Sequence, residues 1–273
     1  VTRHLFRFLI SCYLETEDYL SGFSAKGQTM FFKTTAKQIV RIILFASFIT
    51  GCTGVPSKTA IPSTLTAVFK ISDYAFPHSI DSGKRYLFYL HGKIIEDQGI
   101  PAVSSDFGEY EYAAILQKFN EYGFVVISEQ RPKNTDSAEY AGKVYEQVTD
   151  LLNGGVLAKN ITVVGASKGA GIAIFASHML ENKEINFVIM GICHPDNVEY
   201  YKQYQIFLYG NVLSIYDSAD TLAGTCQDLF SFSEGKGISK HDEIVLHVGT
   251  GHGVLYKPLD EWIIPTVNWA GKP

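Results

Sequence analysis

Three short stretches of this chain carry residue types that could together perform acyl-transfer chemistry. The first is Gly165-Ala166-Ser167-Lys168-Gly169, which follows an apolar run and precedes a helical pattern. A serine hydroxyl is a poor nucleophile at neutral pH and becomes useful only with a base in hydrogen-bond reach. A G-x-S-x-G set between strand and helix exposes such a hydroxyl on a sharp turn, at the positive end of the helix. The second stretch ends an apolar run with two acids, Asp217 and Asp220, either of which suits an orienting carboxylate or a helix N-cap. The third contains His247 and His252. His247 falls inside an apolar run and reads as a packed core histidine, whereas His252 lies in the glycine-rich loop Gly249-Thr250-Gly251-His252-Gly253.

The serine motif has a rival reading, because GASKGAG also fits G-x-x-x-G-x-G, the nucleotide-binding turn of short-chain dehydrogenases. That turn follows the first strand of its domain and is followed downstream by Tyr-x-x-x-Lys. Here several apolar runs precede Gly165 and no Tyr-x-x-x-Lys follows it, so the dehydrogenase reading is set aside.

The elements that must position these residues show in the periodicity. Short apolar runs at 65–71, 86–90, 124–127, 161–164, 187–190, 212–216 and 244–248 have the length and composition of buried parallel strands. Between them, Tyr112, Ile115, Leu116 and Phe119 fall on one helical face, as do Tyr140, Val144, Val148 and Leu151. The alternation predicts an α/β fold, a mostly parallel central sheet with helices on both faces. No internal repeat appears, and residues 65–273 read as one domain.

With the order serine, acid, histidine in place, the chain resembles an α/β-hydrolase over nearly all of residues 65–270. The resemblance implies Ser167 as nucleophile, Asp220 as the acid and His252 as the base. Asp220 is preferred because Ile215-Tyr216-Asp217-Ser218-Ala219-Asp220 matches the family's pattern around its acid, with Asp217 in a glycine place. The pair His91-Gly92 after the run at 86–90 matches the family's oxyanion loop. It implies the backbone amides of Lys93 and Lys168 as oxyanion donors, with their side chains solvated and His91 shaping the loop. Where the family often has Asp-x-Arg-Gly, this chain has Glu129-Gln130-Arg131-Pro132, and Arg131 is a candidate brace. The segment between Met190 and Val212 is too short for a large cap domain. Its Tyr200, Tyr201, Tyr204 and Phe207 either line a shallow acyl pocket or cover the sheet. The implied reaction is hydrolysis of a small carboxylic ester, with no cofactor; peptidase, thioesterase and acyltransferase activities use the same triad, and a surface lipoprotein that only binds its ligand on this fold is the alternative.

Composition is that of an ordinary globular protein. Of 273 residues, 46% are hydrophobic and 19% charged, which excludes disorder and collagen-like repeats. Net charge is −5 and the longest basic run is Lys84-Arg85, so no nucleic-acid footprint is present. No C-x-x-C and no H-E-x-x-H offers a metal site.

The N-terminal text has a different character. Residues 30–51 place Lys33, Lys37 and Arg41 before a short apolar run that closes on Ile49-Thr50-Gly51 ahead of Cys52. The run is too short to span a bilayer. It resembles a bacterial lipoprotein signal peptide, which implies lipidation of Cys52, a tether over 52–64, and a place on the cell envelope, with the membrane as partner through a lipid anchor. Met30 sits where such a signal starts, so residues 1–29 are expected to be an upstream extension. Without residues 1–51, the chain has 17 basic and 25 acidic residues, a net charge of −8. Cys193 and Cys226 then remain in the body, as a candidate disulfide for an oxidising compartment or as two separate buried thiols.

Overall fold

A computed structural model describes residues 70–271, all of which lie within one compact unit, Thr64–Pro273. The expected segments 1–29, 30–51 and 52–64, the lipidation position Cys52, and all but the end of the expected strand at 65–71 lie outside the described residues. At that end the chain forms a 3-10 turn, Ile71–Tyr74, instead of a strand.

The strands are β1 (Tyr86–Leu90), β2 (Val103–Ser104), β3 (Gly108–Glu109), β4 (Val125–Ile127), β5 (Ile161–Ala166), β6 (Asn186–Met190), β7 (Gly210–Asp217) and β8 (Ile238–Leu246). Six of them form one sheet in the order β4-β1-β5-β6-β7-β8, with every pair parallel. β2 and β3 form a separate small antiparallel hairpin. The helices are α1 (Lys93–Gln98), α2 (Tyr112–Glu121), α3 (Ser137–Asn153), α4 (Lys168–Leu180), α5 (Pro195–Gln203), α6 (Gln227–Ser233) and α7 (Asp260–Trp269).

Strand β1 shows how the layers arise. Alternate residues of a strand point to opposite faces, and Tyr86, Phe88 and Leu90 enter one core while Leu87 and Tyr89 enter the other. The first core takes Val144, Val148 and Leu151 of α3 with Ile172, Ala173 and Ala176 of α4. The second takes Ile115, Leu116 and Phe119 of α2 with Trp262, Ile263 and Val267 of α7. Helix α3 starts sharply because Asp136 Oδ1 accepts the Glu139 amide at 2.8 Å. The result is an α/β fold, a parallel six-stranded sheet with helices on both faces and no cap domain among the described residues. No helix among them is long and apolar enough to cross a membrane.

The chain passes from β1 outward to β4 and then returns to β5 on the other side of β1. At such a reversal the flanking connections leave toward opposite faces and open a crevice at the carboxyl ends of the strands. The residues that follow β1 and β5 border that crevice: His91-Gly92 after the first and Ser167 after the second.

Candidate active site

Ser167 joins β5 to α4 with φ 53° and ψ −121°, a left-handed conformation costly for any residue but glycine. Contacts made by its two glycine neighbours hold it there. A Cβ at position 165 would overlap the Gly169 carbonyl, and one at 169 would overlap the Leu90 carbonyl at the end of β1. Helix α4 therefore starts tight against both strands, and the Ser167 amide donates to the Met190 carbonyl of β6 at 2.8 Å. Gly92 sits on the other side of the serine, where a Cβ would lie 3.7 Å from Ser167 Cβ. Lys93 and Lys168 are thus the first residues of α1 and α4, two helices that begin around the same hydroxyl.

His252 lies in a 3-10 turn, Gly251–Tyr256, beyond β8. Its Nδ1 is 2.7 Å from Asp220 Oδ2, and both side chains are almost wholly buried. The ring lies against Gly191, the residue after Met190, where a Cβ would come within 3.1 Å of His252 Cε1. The imidazole is therefore at the carboxyl end of the sheet, where Ser167 also sits. Asp220 Oδ1 accepts the Leu222 amide at 2.9 Å, which fixes the carboxylate before it meets the imidazole.

Asp217 caps no helix. It is fully buried; Oδ1 accepts the Ala219 amide at 2.9 Å, and Oδ2 accepts those of Val248 and Gly249 at 2.8 and 3.0 Å. One carboxylate thus ties the Asp220 loop to the His252 loop. His247 also departs from expectation. It is exposed just past β8, with Nδ1 2.9 Å from Ser218 Oγ.

The His91-Gly92 loop is held by a neutral histidine. The Arg131 amide donates to His91 Nε2 at 3.0 Å. The ring proton therefore sits on Nδ1, which donates to the Gly92 carbonyl at 2.8 Å. Burial, and then the nearby Arg131 guanidinium, push His91 down to about 3. Arg131 does brace the loop, through its amide and through Nη2, which donates to the His91 carbonyl. Its Nε is 2.7 Å from Glu96 Oε1, with both side chains fully buried, and its guanidinium stacks over Tyr140, 5.4 Å from the ring centre.

Lys168 corrects the expectation of a solvated side chain. Its Nζ is 2.6 Å from Glu96 Oε2 and donates to the Thr135 carbonyl at 2.6 Å. Lys93 does reach toward solvent, pairing with Asp97 one helical turn on.

One feature here escaped the sequence. The hairpin of β2 and β3 carries Phe107 toward the site, its ring centre 6.3 Å from that of His252 and 5.4 Å from that of Tyr256. The aromatic residues after β6, in contrast, pack on helices: Tyr201 enters the first core edge-on against Phe175 of α4, and Phe207 stacks on Phe232 of α6. Cys193 and Cys226 form a disulfide with S–S 1.97 Å, joining the loop after β6 to the start of α6.

No family model matches the sequence, and no curated protein matches it significantly. Solved structures do resemble it. Arabidopsis thaliana SOBER1 is 12% identical, with 67% of this chain and 99% of that chain covered and a TM-score of 0.45. A phospholipase/carboxylesterase from Dyadobacter fermentans is 13% identical, covering 62% of this chain and 85% of that chain, with a TM-score of 0.42. The hyperthermophilic esterase of Pyrobaculum calidifontis is 17% identical, covering 70% of this chain and 76% of that chain, with a TM-score of 0.46.

Proposed function

We propose that the protein is a serine hydrolase that cleaves a small ester or related acyl bond. The observation that carries this reading is the buried 2.7 Å contact between His252 Nδ1 and Asp220 Oδ2, at the carboxyl end of the sheet, where Ser167 is held at φ 53°. Asp220 holds the imidazole with its proton on Nδ1, which leaves Nε2 as the base. In the proposed reaction Ser167 Oγ attacks the acyl carbon as its proton passes to His252, and Asp220 stabilises the imidazolium. The oxyanion is bound by the amides of Lys93 and Lys168, donors of a kind worth about 10²–10³ each in rate. His252 then protonates the leaving alcohol, and water, activated by the same histidine, hydrolyses the acyl-enzyme and restores Ser167. A site flanked by Phe107 and without a cap domain among the described residues suits small substrates better than long lipids.

Labelling with a fluorophosphonate, followed by peptide mass mapping, tests the reading. The expected adduct is on Ser167 and is lost in His252→Ala. Folded protein that takes no adduct would overturn it in favour of a protein that only binds its ligand on this fold.

The basic, apolar and small-residue succession at 30–52 supports a further part of the proposal, that the enzyme is anchored to a bacterial envelope by lipid on Cys52. Incorporation of a clickable palmitate analogue, lost in Cys52→Ser, is the expected result. Equal labelling of both proteins, or of neither, would remove the anchor from the proposal.

A further inference from the structure

Glu96 is in the first turn of α1, three residues after Lys93, and its carboxylate is fully buried. Each oxygen has its own cation. Oε1 takes Arg131 Nε at 2.7 Å and Oε2 takes Lys168 Nζ at 2.6 Å, across 72 residues of sequence. Arg131 also holds the His91 carbonyl and donates its amide to the His91 ring, while Lys168 also holds the Thr135 carbonyl. The network therefore spans four segments: the loop after β1, helix α1, the loop after β4, and the first residue of α4. Burying the Arg131–Glu96 pair is costly, and apolar side chains would fill the same space without that cost. What charges with directional hydrogen bonds add is a fixed geometry.

That geometry is of one kind. Lys168 contributes its own amide at the start of α4, and its side chain reaches the helix that starts with Lys93. We infer that Lys168 and Glu96 are positioning residues that set the spacing of the two oxyanion-binding amides. The inference rests on the hydrolase reading and gives the Lys168 side chain a part in it that sequence did not suggest. A misplacement of about 1 Å between a donor and a developing charge costs up to about 100-fold in rate, so the link acts on the transition state more than on substrate binding.

Lys168→Met is the informative variant, because Arg131 stays on Glu96 Oε1 and the buried carboxylate keeps one cation. With p-nitrophenyl acetate, kcat is expected to fall about 10- to 100-fold, with KM within about twofold of wild type. The inhibition constant of phenylboronic acid, whose tetrahedral adduct mimics the oxyanion, should rise by the same factor. Lys168→Arg, which restores a cation to Glu96, should recover most of the loss. Wild-type kcat in Lys168→Met would overturn the inference while leaving the hydrolase reading intact, and so would a loss that Lys168→Arg shares in full. A wild-type protein that neither turns over the ester nor takes the fluorophosphonate would overturn the reading, and this inference with it. Thermal melts of both variants show whether a fall in kcat only follows unfolding, and a fall that disappears below the melting transition also counts against it.

Discussion

Asp217 Oδ2 lies 2.8 Å from the backbone nitrogen of Val248, across the paired ends of β7 and β8. That contact separates two acids only three residues apart: Asp217 holds loops, and Asp220 holds the imidazole. Asp220→Asn should leave the fold intact and lower kcat by about 10³–10⁴, the scale for loss of the orienting carboxylate in such a triad. Asp217→Asn instead turns a side-chain N–H toward backbone donors. It is expected to cost about 1–3 kcal/mol of stability, with a smaller fall in kcat. Denaturant titration beside ester kinetics distinguishes the two, and identical profiles would contradict the division of labour.

Gly169→Ala should prevent folding or cost at least about 4 kcal/mol, since the new methyl group overlaps main chain at Leu90 that has nowhere to move. Gly253→Ala meets only the Phe107 ring, at 2.9 Å, and should be far milder. Soluble yield and unfolding midpoints would show the ordering.

His91 is neutral in the fold and protonates in the unfolded chain below its usual pKa of 6.5. Its contribution is fully present above that pH and is lost as pH falls from 6.5 toward about 3, because the unfolded state then binds the extra proton. The expected slope is about 1.4 kcal/mol per pH unit from this residue. His91→Gln, whatever its absolute stability, should show a shallower dependence by that amount in melts across this range.

Replacing Phe107 with alanine removes the ring beside His252 and should raise kcat/KM for bulkier esters about tenfold relative to acetate, the scale of one or two methylene groups in an apolar pocket. A p-nitrophenyl ester series measures it; an unchanged profile would place the substrate elsewhere.

The disulfide closes a loop with a sequence separation of 33. Cys193→Ser with Cys226→Ser should lower stability by about 3–4 kcal/mol through a less constrained unfolded chain. Equal unfolding midpoints for the variant and the oxidised wild type would refute this.

Much of the sheet was legible because buried parallel strands are continuous apolar runs, and the runs at 86–90, 161–164 and 187–190 match β1, β5 and β6 to within two residues at either end. The start of β8 was not. Lys240, His241, Asp242 and Glu243 interrupt the apolar text, as an edge strand with partly exposed residues permits. The same limit hid the hairpin that carries Phe107, whose two-residue strands have no periodicity to read. The turn around Ser167 was legible because its glycines and flanking elements are contiguous. The role of the Lys168 side chain was not, since its partner Glu96 is 72 residues away and only the fold brings them together. His247 was misjudged for a related reason: an apolar neighbourhood in sequence says nothing about where a strand stops.

The place of Ser167, the proposed nucleophile, is set by main-chain contacts: its amide on the Met190 carbonyl, and the Gly169 backbone against that of Leu90. Peptide groups are the same whatever residues carry them. Under the proposed reading, the substrate range can therefore be retuned by side-chain substitution along the pocket wall while the Ser167 main chain keeps its coordinates. At Gly165 and Gly169 the main chain itself forbids any side chain.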